Sequence, residues 1–171
     1  MADRGIRKRC ETILVELDLP DALGVRDLCD VIAERQGRPI HLLGESLPAE
    51  SPCGIAVRTE RFDAIFYEAN TSRLHQDHII RHELGHLICG HLTAPILDAE
   101  ASLLLLPNLD PALVQAVLGR TNYSEIEEKE AETIASLLLR RSVLSRSRET
   151  HREDPAASPV LGRLHHTLID P

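Results

Sequence analysis

The chain has 171 residues, 43% of them hydrophobic and 27% charged, and its 19 Lys and Arg against 27 Asp and Glu leave a formal charge of −8. That length suits one compact domain, and that apolar content excludes a globally disordered chain. The acidic balance argues against a nucleic-acid binder working by bulk electrostatics, although Arg4, Arg7, Lys8 and Arg9 form a local basic run.

Ile6, Cys10, Ile13, Leu14 and Leu17 recur at helical spacing and predict an amphipathic helix over 4–18. Val25, Leu28, Cys29 and Ile32 predict a second helix over 22–37, closed by Gly37 with Pro39 beyond it. The period then changes. Residues 39–43, 54–58 and 63–68 are short apolar runs with partial alternation and read as strands. The last two are joined by Thr59-Glu60-Arg61-Phe62, which suits a hairpin. The expected sheet over 39–68 is three-stranded and antiparallel.

Asn70, Thr71 or Ser72 is placed to cap a helix over 73–90. Residues 92–120 read as a connector in which Asp110-Pro111 opens a short helix. Ser124-x-x-Glu127 is a capping box for a helix over 124–144. After residue 145 the composition turns polar. The expected architecture is therefore α+β: one mainly helical domain over 1–145, with its small sheet near helix 73–90, and a mobile tail over 146–171. The core should be aliphatic, because Phe62, Phe66, Tyr67 and Tyr123 are the whole aromatic complement and there is no Trp. Cys10, Cys29, Cys53 and Cys89 contain no C-x-x-C pair, so reduced thiols in a cytoplasmic protein are expected. The basic start is not followed by an apolar segment, and neither a signal peptide nor a membrane span is predicted.

Nine residues are His, and five of them (75, 78, 82, 86 and 91) crowd into one segment. Within it, His82-Glu83-Leu84-Gly85-His86 is an H-E-x-x-H motif. Residues four apart share a helix face, so two imidazoles so placed can ligate one metal without bending the backbone. Glu83 is offset by about 100° and can act beside the metal as a base. With nine His and 16 Glu in the chain, roughly 0.04 accidental matches are expected. Gly85 costs about 1 kcal/mol relative to Ala in a helix interior, which points to a close neighbour there.

A catalytic zinc needs a third protein ligand and one open position. No third His lies at the metzincin offset, so a carboxylate from another helix is expected. The segment 124–132 offers Glu125, Glu127, Glu128, Glu130 and Glu132. Ile126, Ile134 and Leu137 mark its predicted buried face. Glu130 falls on that face, whereas Glu128 and Glu132 are expected to point to solvent. Glu125 and Glu127 sit in the first turn, where negative charge suits the helix dipole. A carboxylate on an apolar face is costly unless paired or bound to metal, so Glu130 is the expected third ligand and Glu127 the fallback.

Ile80-Arg81-His82-Glu83-Leu84-Gly85-His86-Leu87, preceded by a small sheet and Arg73, resembles the centre of ImmA/IrrE-type metallo-endopeptidases. Glu128-Lys129-Glu130-Ala131-Glu132-Thr133-Ile134-Ala135 resembles their downstream Glu-Ala segment, although Leu138-Leu139-Arg140-Arg141 departs from its usual Leu-Met-Pro ending. The resemblance spans about residues 20–140. It implies a zincin-like, gluzincin-type site with one zinc per chain, held by His82, His86 and Glu130, with Glu83 as the base. It also implies a bacterial or phage-related protein whose substrate is a helix-turn-helix repressor or an antitoxin-type partner.

The predicted function is zinc-dependent hydrolysis of a peptide bond in an intracellular regulatory protein. Tyr123, His91 and His78 are candidates for stabilising the oxyanion or supporting the ligands. A zinc-bound toxin-like interaction module with little turnover is the alternative, and a DNA-associated regulator using the basic first helix is a third reading. Neither direct nucleic-acid contact nor a membrane is expected. An extended substrate would add to a sheet edge, either 54–58 or 63–68, with Glu68 to Thr71 near the cleft.

Overall fold

The computed structural model describes residues 2–21, 23–47, 52–92 and 123–153. The elements run α1 (Ala2–Glu16), α2 (Val25–Gln36), β1 (Ile40–Glu45), β2 (Gly54–Arg58), β3 (Asp63–Glu68), α3 (Arg73–Cys89) and α4 (Glu125–Glu153). The predicted connector helix near 111 and the chain after 153 lie outside the described residues.

Local signals account for most boundaries. Gly37 ends α2 in the left-handed conformation at φ 64°, which lets the Gly37 and Arg38 amides reach the carbonyls of Glu34 and Ala33. Ser72 caps α3 by accepting from the His75 amide at 3.3 Å. The Ser124 capping box is reciprocal: the Glu127 amide donates to Ser124 Oγ at 3.3 Å, and the Ser124 amide donates to Glu127 Oε2 at 2.7 Å. Helix α4 continues to Glu153, beyond the end predicted near 144. Polar Arg, Ser and Glu are compatible with a helix, and neither Gly nor Pro interrupts the run before Pro155.

The sheet is mixed rather than antiparallel. Its order is β1-β3-β2, with β1 parallel to β3 and β2 antiparallel to it. The predicted hairpin is present, and Thr59 Oγ1 braces its turn by accepting from the Phe62 amide at 3.0 Å. What differs is the place of β1, which pairs with β3 across the sheet from β2. The reason is burial. Asp63 to Tyr67 are all buried, whereas β1 is mostly half-buried, so the most apolar strand takes the centre.

Helix α3 lies between α4 and the β2–β3 pair, with α1 and α2 completing the cover. It is buried nearly all round, from Ile79 through Ile88 except His82. The core is aliphatic as expected, joining Cys10 and Leu14 of α1, Leu28 and Ile32 of α2, Ile65 of β3, Ile80 and Leu84 of α3, and Ile134 and Leu138 of α4. Gly85 explains how closely α3 and α4 approach. A Cβ there would fall 2.6 Å from the Ala131 carbonyl oxygen and 2.7 Å from its Cα. One marker of the α4 buried face is misplaced: Ile126 is 61% exposed, because the apolar stripe begins only at Glu130 and Ala131. All four cysteines are free thiols.

Candidate metal centre

The middle of α3 presents His82 and His86 toward the start of α4, with their Nε2 atoms 3.2 Å apart. Glu128 closes the triangle. Its Oε2 lies 3.2 Å from His82 Nε2, and its Oε1 lies 3.9 Å from His86 Nε2. These three form a group of converging ligand atoms, and a second such group is Cys89, His91 and Glu130. Glu128 and Glu132 thus face the histidines instead of pointing away, even though both are about half exposed. They lie one turn apart on α4. Their face is the edge of the helix interface, a position that sequence periodicity reads as solvent.

Glu130 is buried, as its phase predicts, but it is not gathered with His82 and His86. Its Oε1 accepts from Arg9 Nη1 at 2.8 Å, and its Oε2 lies 2.9 Å from His91 Nε2. The buried-carboxylate argument is sound, but pairing resolves the cost: a guanidinium from α1, which local spacing could not bring into view. Glu127, the fallback ligand, is occupied in the capping box, and its hydrogen bonds with Ser124 hold its carboxyl below the usual range.

The first group suits a metal better than the second. In a tetrahedral zinc site with Zn–N near 2.0–2.1 Å, ligand atoms stand about 3.3 Å apart. The two 3.2 Å spacings are close to that edge, and the third, from His86 Nε2 to the other Glu128 oxygen, is 3.9 Å. In the second group Arg9 already neutralises Glu130, and both nitrogens of His91 are engaged, Nε2 with Glu130 and Nδ1 with His86 at 3.0 Å. His86 is pushed down to about 3, chiefly by burial and then by its His82 and His91 neighbours, so it is a neutral imidazole, the form that ligates. The outer nitrogens also have partners, since His82 Nδ1 lies 3.5 Å from Glu132 Oε2.

Glu83 lies in the same cleft as the two histidines, on the side beside β2. It is pushed up to about 8, mainly by burial, with Glu128 adding to the rise and the Ala56 backbone hydrogen bond opposing it. Its Oε2 is buried with no hydrogen-bond partner, as is the Tyr123 hydroxyl. Both orphaned polar atoms belong to residues that line the cleft with the histidine pair. The cleft has a volume of about 280 Å³, and its lining includes Gly54, His82, Glu83, His86, Tyr123 and Glu128.

The other candidates separate cleanly. Tyr123 stacks on His86, ring centroids 3.6 Å apart, and burial pushes its phenol above the usual range, so it keeps its proton to donate. His78 lines the cleft and lies 3.7 Å from Glu132. His91 is behind His86, away from the cleft. Of the two proposed sheet edges, β3 is central and cannot accept another strand, whereas β2 is an edge and Pro52 to Ile55 line the cleft. Residues 68–71 do not line it.

Compared with known protein families, curated proteins and solved structures, the chain matches none.

Proposed function

We propose that this chain is a zinc-dependent endopeptidase that uses one zinc held by His82, His86 and Glu128. The observation that carries the reading is the convergence of His82 Nε2 and His86 Nε2, 3.2 Å apart, on the Glu128 carboxylate, whose Oε2 lies 3.2 Å from the first and whose Oε1 lies 3.9 Å from the second, beside a buried Glu83 carboxyl oxygen with no partner. Zinc bound there supplies Lewis acidity, lowering the pKa of water to around 7 and polarising a carbonyl. Glu83 Oε2 accepts the proton of the attacking water and later delivers it to the leaving amine. Tyr123 donates its hydroxyl proton toward the developing oxyanion. The β2 edge aligns the substrate as an added strand, which suits a cleft with little aromatic surface.

The motif's resemblance to ImmA/IrrE-type metallo-endopeptidases supports a regulatory protein in the cytoplasm as substrate, either a helix-turn-helix repressor or an antitoxin-type partner. The reading as a DNA-associated regulator loses ground, because Arg7 pairs with Glu11 and Arg9 with Glu130, which leaves fewer free charges on α1.

Metal analysis paired with cleavage tests the proposal. Wild type should hold about one zinc per chain, and Glu128→Gln should lose most of it. Glu83→Gln should keep its zinc and lose cleavage of a partner peptide. Cleavage that survives Glu83→Gln would remove the mechanism. Full zinc occupancy with no cleavage by wild type would favour the interaction module.

A further inference from the structure

The contacts between α3 and α4 step in opposite directions along the two helices. Gly85 meets Ala131, His78 lies 3.7 Å from Glu132, and Leu74 and Leu139 come together at the far end of the seam. There the two helices bound a groove of about 330 Å³, lined by Ser72, Leu74, His75, His78, Arg81 and Leu139. His75 and His78 also line the cleft that holds His82, Glu83 and His86, so groove and cleft share a wall and are continuous. We infer that the groove is a subsite for a large apolar side chain of the peptide substrate, received between Leu74 and Leu139, and that it selects which peptides enter the cleft. The inference rests on the endopeptidase reading for the identity of that occupant.

Helix α3 is buried nearly all round from Ile79 onward, yet Leu74 is 76% exposed. Leu139 is 38% exposed, and Val143, one turn further along α4, is 53% exposed. A single exposed leucine is ordinary, but two that line one groove opening into a reactive cleft make a surface with a use. The polar groups nearby are already engaged. Arg81 is buried and its Nη1 donates to the Asp77 carbonyl at 2.9 Å, and Ser72 Oγ accepts from the His75 amide. The leucines therefore offer an occupant apolar area to cover, and burying one aliphatic side chain there is the main gain available.

The spacing along α3 sets the reach. Leu74 precedes His82 by two helical turns, or about 12 Å. An extended peptide advances about 3.3 Å per residue, so the side chain in the groove belongs to a residue about three to four positions from the bond that is cut. A peptide already lying in the cleft needs only that length to arrive there.

Cleavage of a random decapeptide library by the zinc-loaded, full-length chain tests the inference. The cleaved peptides should be enriched in Leu, Ile, Met or Phe at a single position, about three to four residues from the cut. Changing that residue to Ala in a selected peptide should lower kcat/KM by about tenfold or more, mainly through KM. With Leu74→Gln and Leu139→Gln combined, which preserve helix propensity, the same change should make little difference. Cleavage with no apolar preference at that distance, or a preference that the double variant keeps, would overturn the inference. A chain that cleaves nothing would remove the endopeptidase reading instead. The library then tests the groove by retention on immobilised Glu83→Gln protein: peptides that are released when Leu74→Gln and Leu139→Gln are added support the subsite, and retention that is equal, or absent in both, overturns it. A photoreactive residue in place of Leu74 reports the occupant directly. Crosslinks to a selected peptide are expected, and crosslinks to a second copy of the chain or to its own residues 154–171 would overturn the assignment.

Discussion

Glu83 and Tyr123 each carry a polar atom that folding has stripped of water and left without a partner. Such groups cost stability, so their removal should separate stability from activity. The Glu83 carboxyl rises from 4.5 to about 8 on folding. Its folded pKa lies above the unfolded one, so the native state binds the extra proton between those values. The site is therefore most favourable to folding at low pH, and this contribution is lost as pH rises from about 4.5 through about 8. Metal-free Glu83→Gln should be more stable than metal-free wild type by up to about 5 kcal/mol in alkaline buffer. The gap should close in acid. Urea midpoints across pH in the presence of a chelator measure it, and a gap that ignores pH would contradict the burial of Glu83. Tyr123→Phe should leave stability unchanged or higher and zinc content intact, while slowing peptide cleavage by about 100-fold with little change in KM. A normal cleavage rate would exclude the hydroxyl as an oxyanion donor.

The element that decides the site is α4, and it does so through its distance from α3. Gly85 lets the two backbones close to a separation at which even a methyl group meets the Ala131 backbone at 2.6–2.7 Å. That approach brings Glu128 within 3.2 Å of His82. Gly85→Ala, which raises intrinsic helix propensity, should nonetheless destabilise the protein by about 2 kcal/mol through overpacking. Zinc binding should weaken with it, read by thermal melting and by metal titration of the folded fraction. A variant that gained stability would show that the helices are free to move apart. The cost attached to Gly85 was legible in the chain, and so was a close neighbour there, either another backbone or a substrate. Which residue on α4 benefits was not. Helical phase separates buried from exposed positions, but Glu128 occupies the boundary between them, half exposed and still facing His82. Glu130 satisfied the apolar-face argument because its partner Arg9 comes from α1, 121 positions away in sequence.

At the level of the whole molecule, the sheet and helices are tied by one buried carboxylate. Asp63 is fully buried in β3 and pairs with Arg38, which follows α2, and with Arg58 of β2, at 2.9 and 2.8 Å. Arg58 also donates to the Leu92 carbonyl at 2.9 Å, just past the end of α3. Asp63→Ala would strand two half-buried guanidiniums and should cost about 3–5 kcal/mol, measurable by urea denaturation. A loss below about 1 kcal/mol would mean that water replaces the carboxylate at no penalty. Among the described residues no helix is long and apolar enough to cross a membrane.

Much of the short-range structure of this chain is legible in its sequence: a helix cap within 70–72, the capping box at Ser124, the stop at Gly37, the hairpin at Thr59–Phe62, the pairing of His82 with His86 on one helix face. Each depends on residues within about one turn, where covalent geometry and propensity leave few choices. The rest depends on contacts between distant segments. Burial put β3 at the centre of the sheet, close helix packing brought Glu128 to the histidines, and a guanidinium from α1 pairs with Glu130, which lies beside His91. Those outcomes are set by which surfaces lose water together, and a linear pattern records that each segment has an apolar face without recording what that face meets.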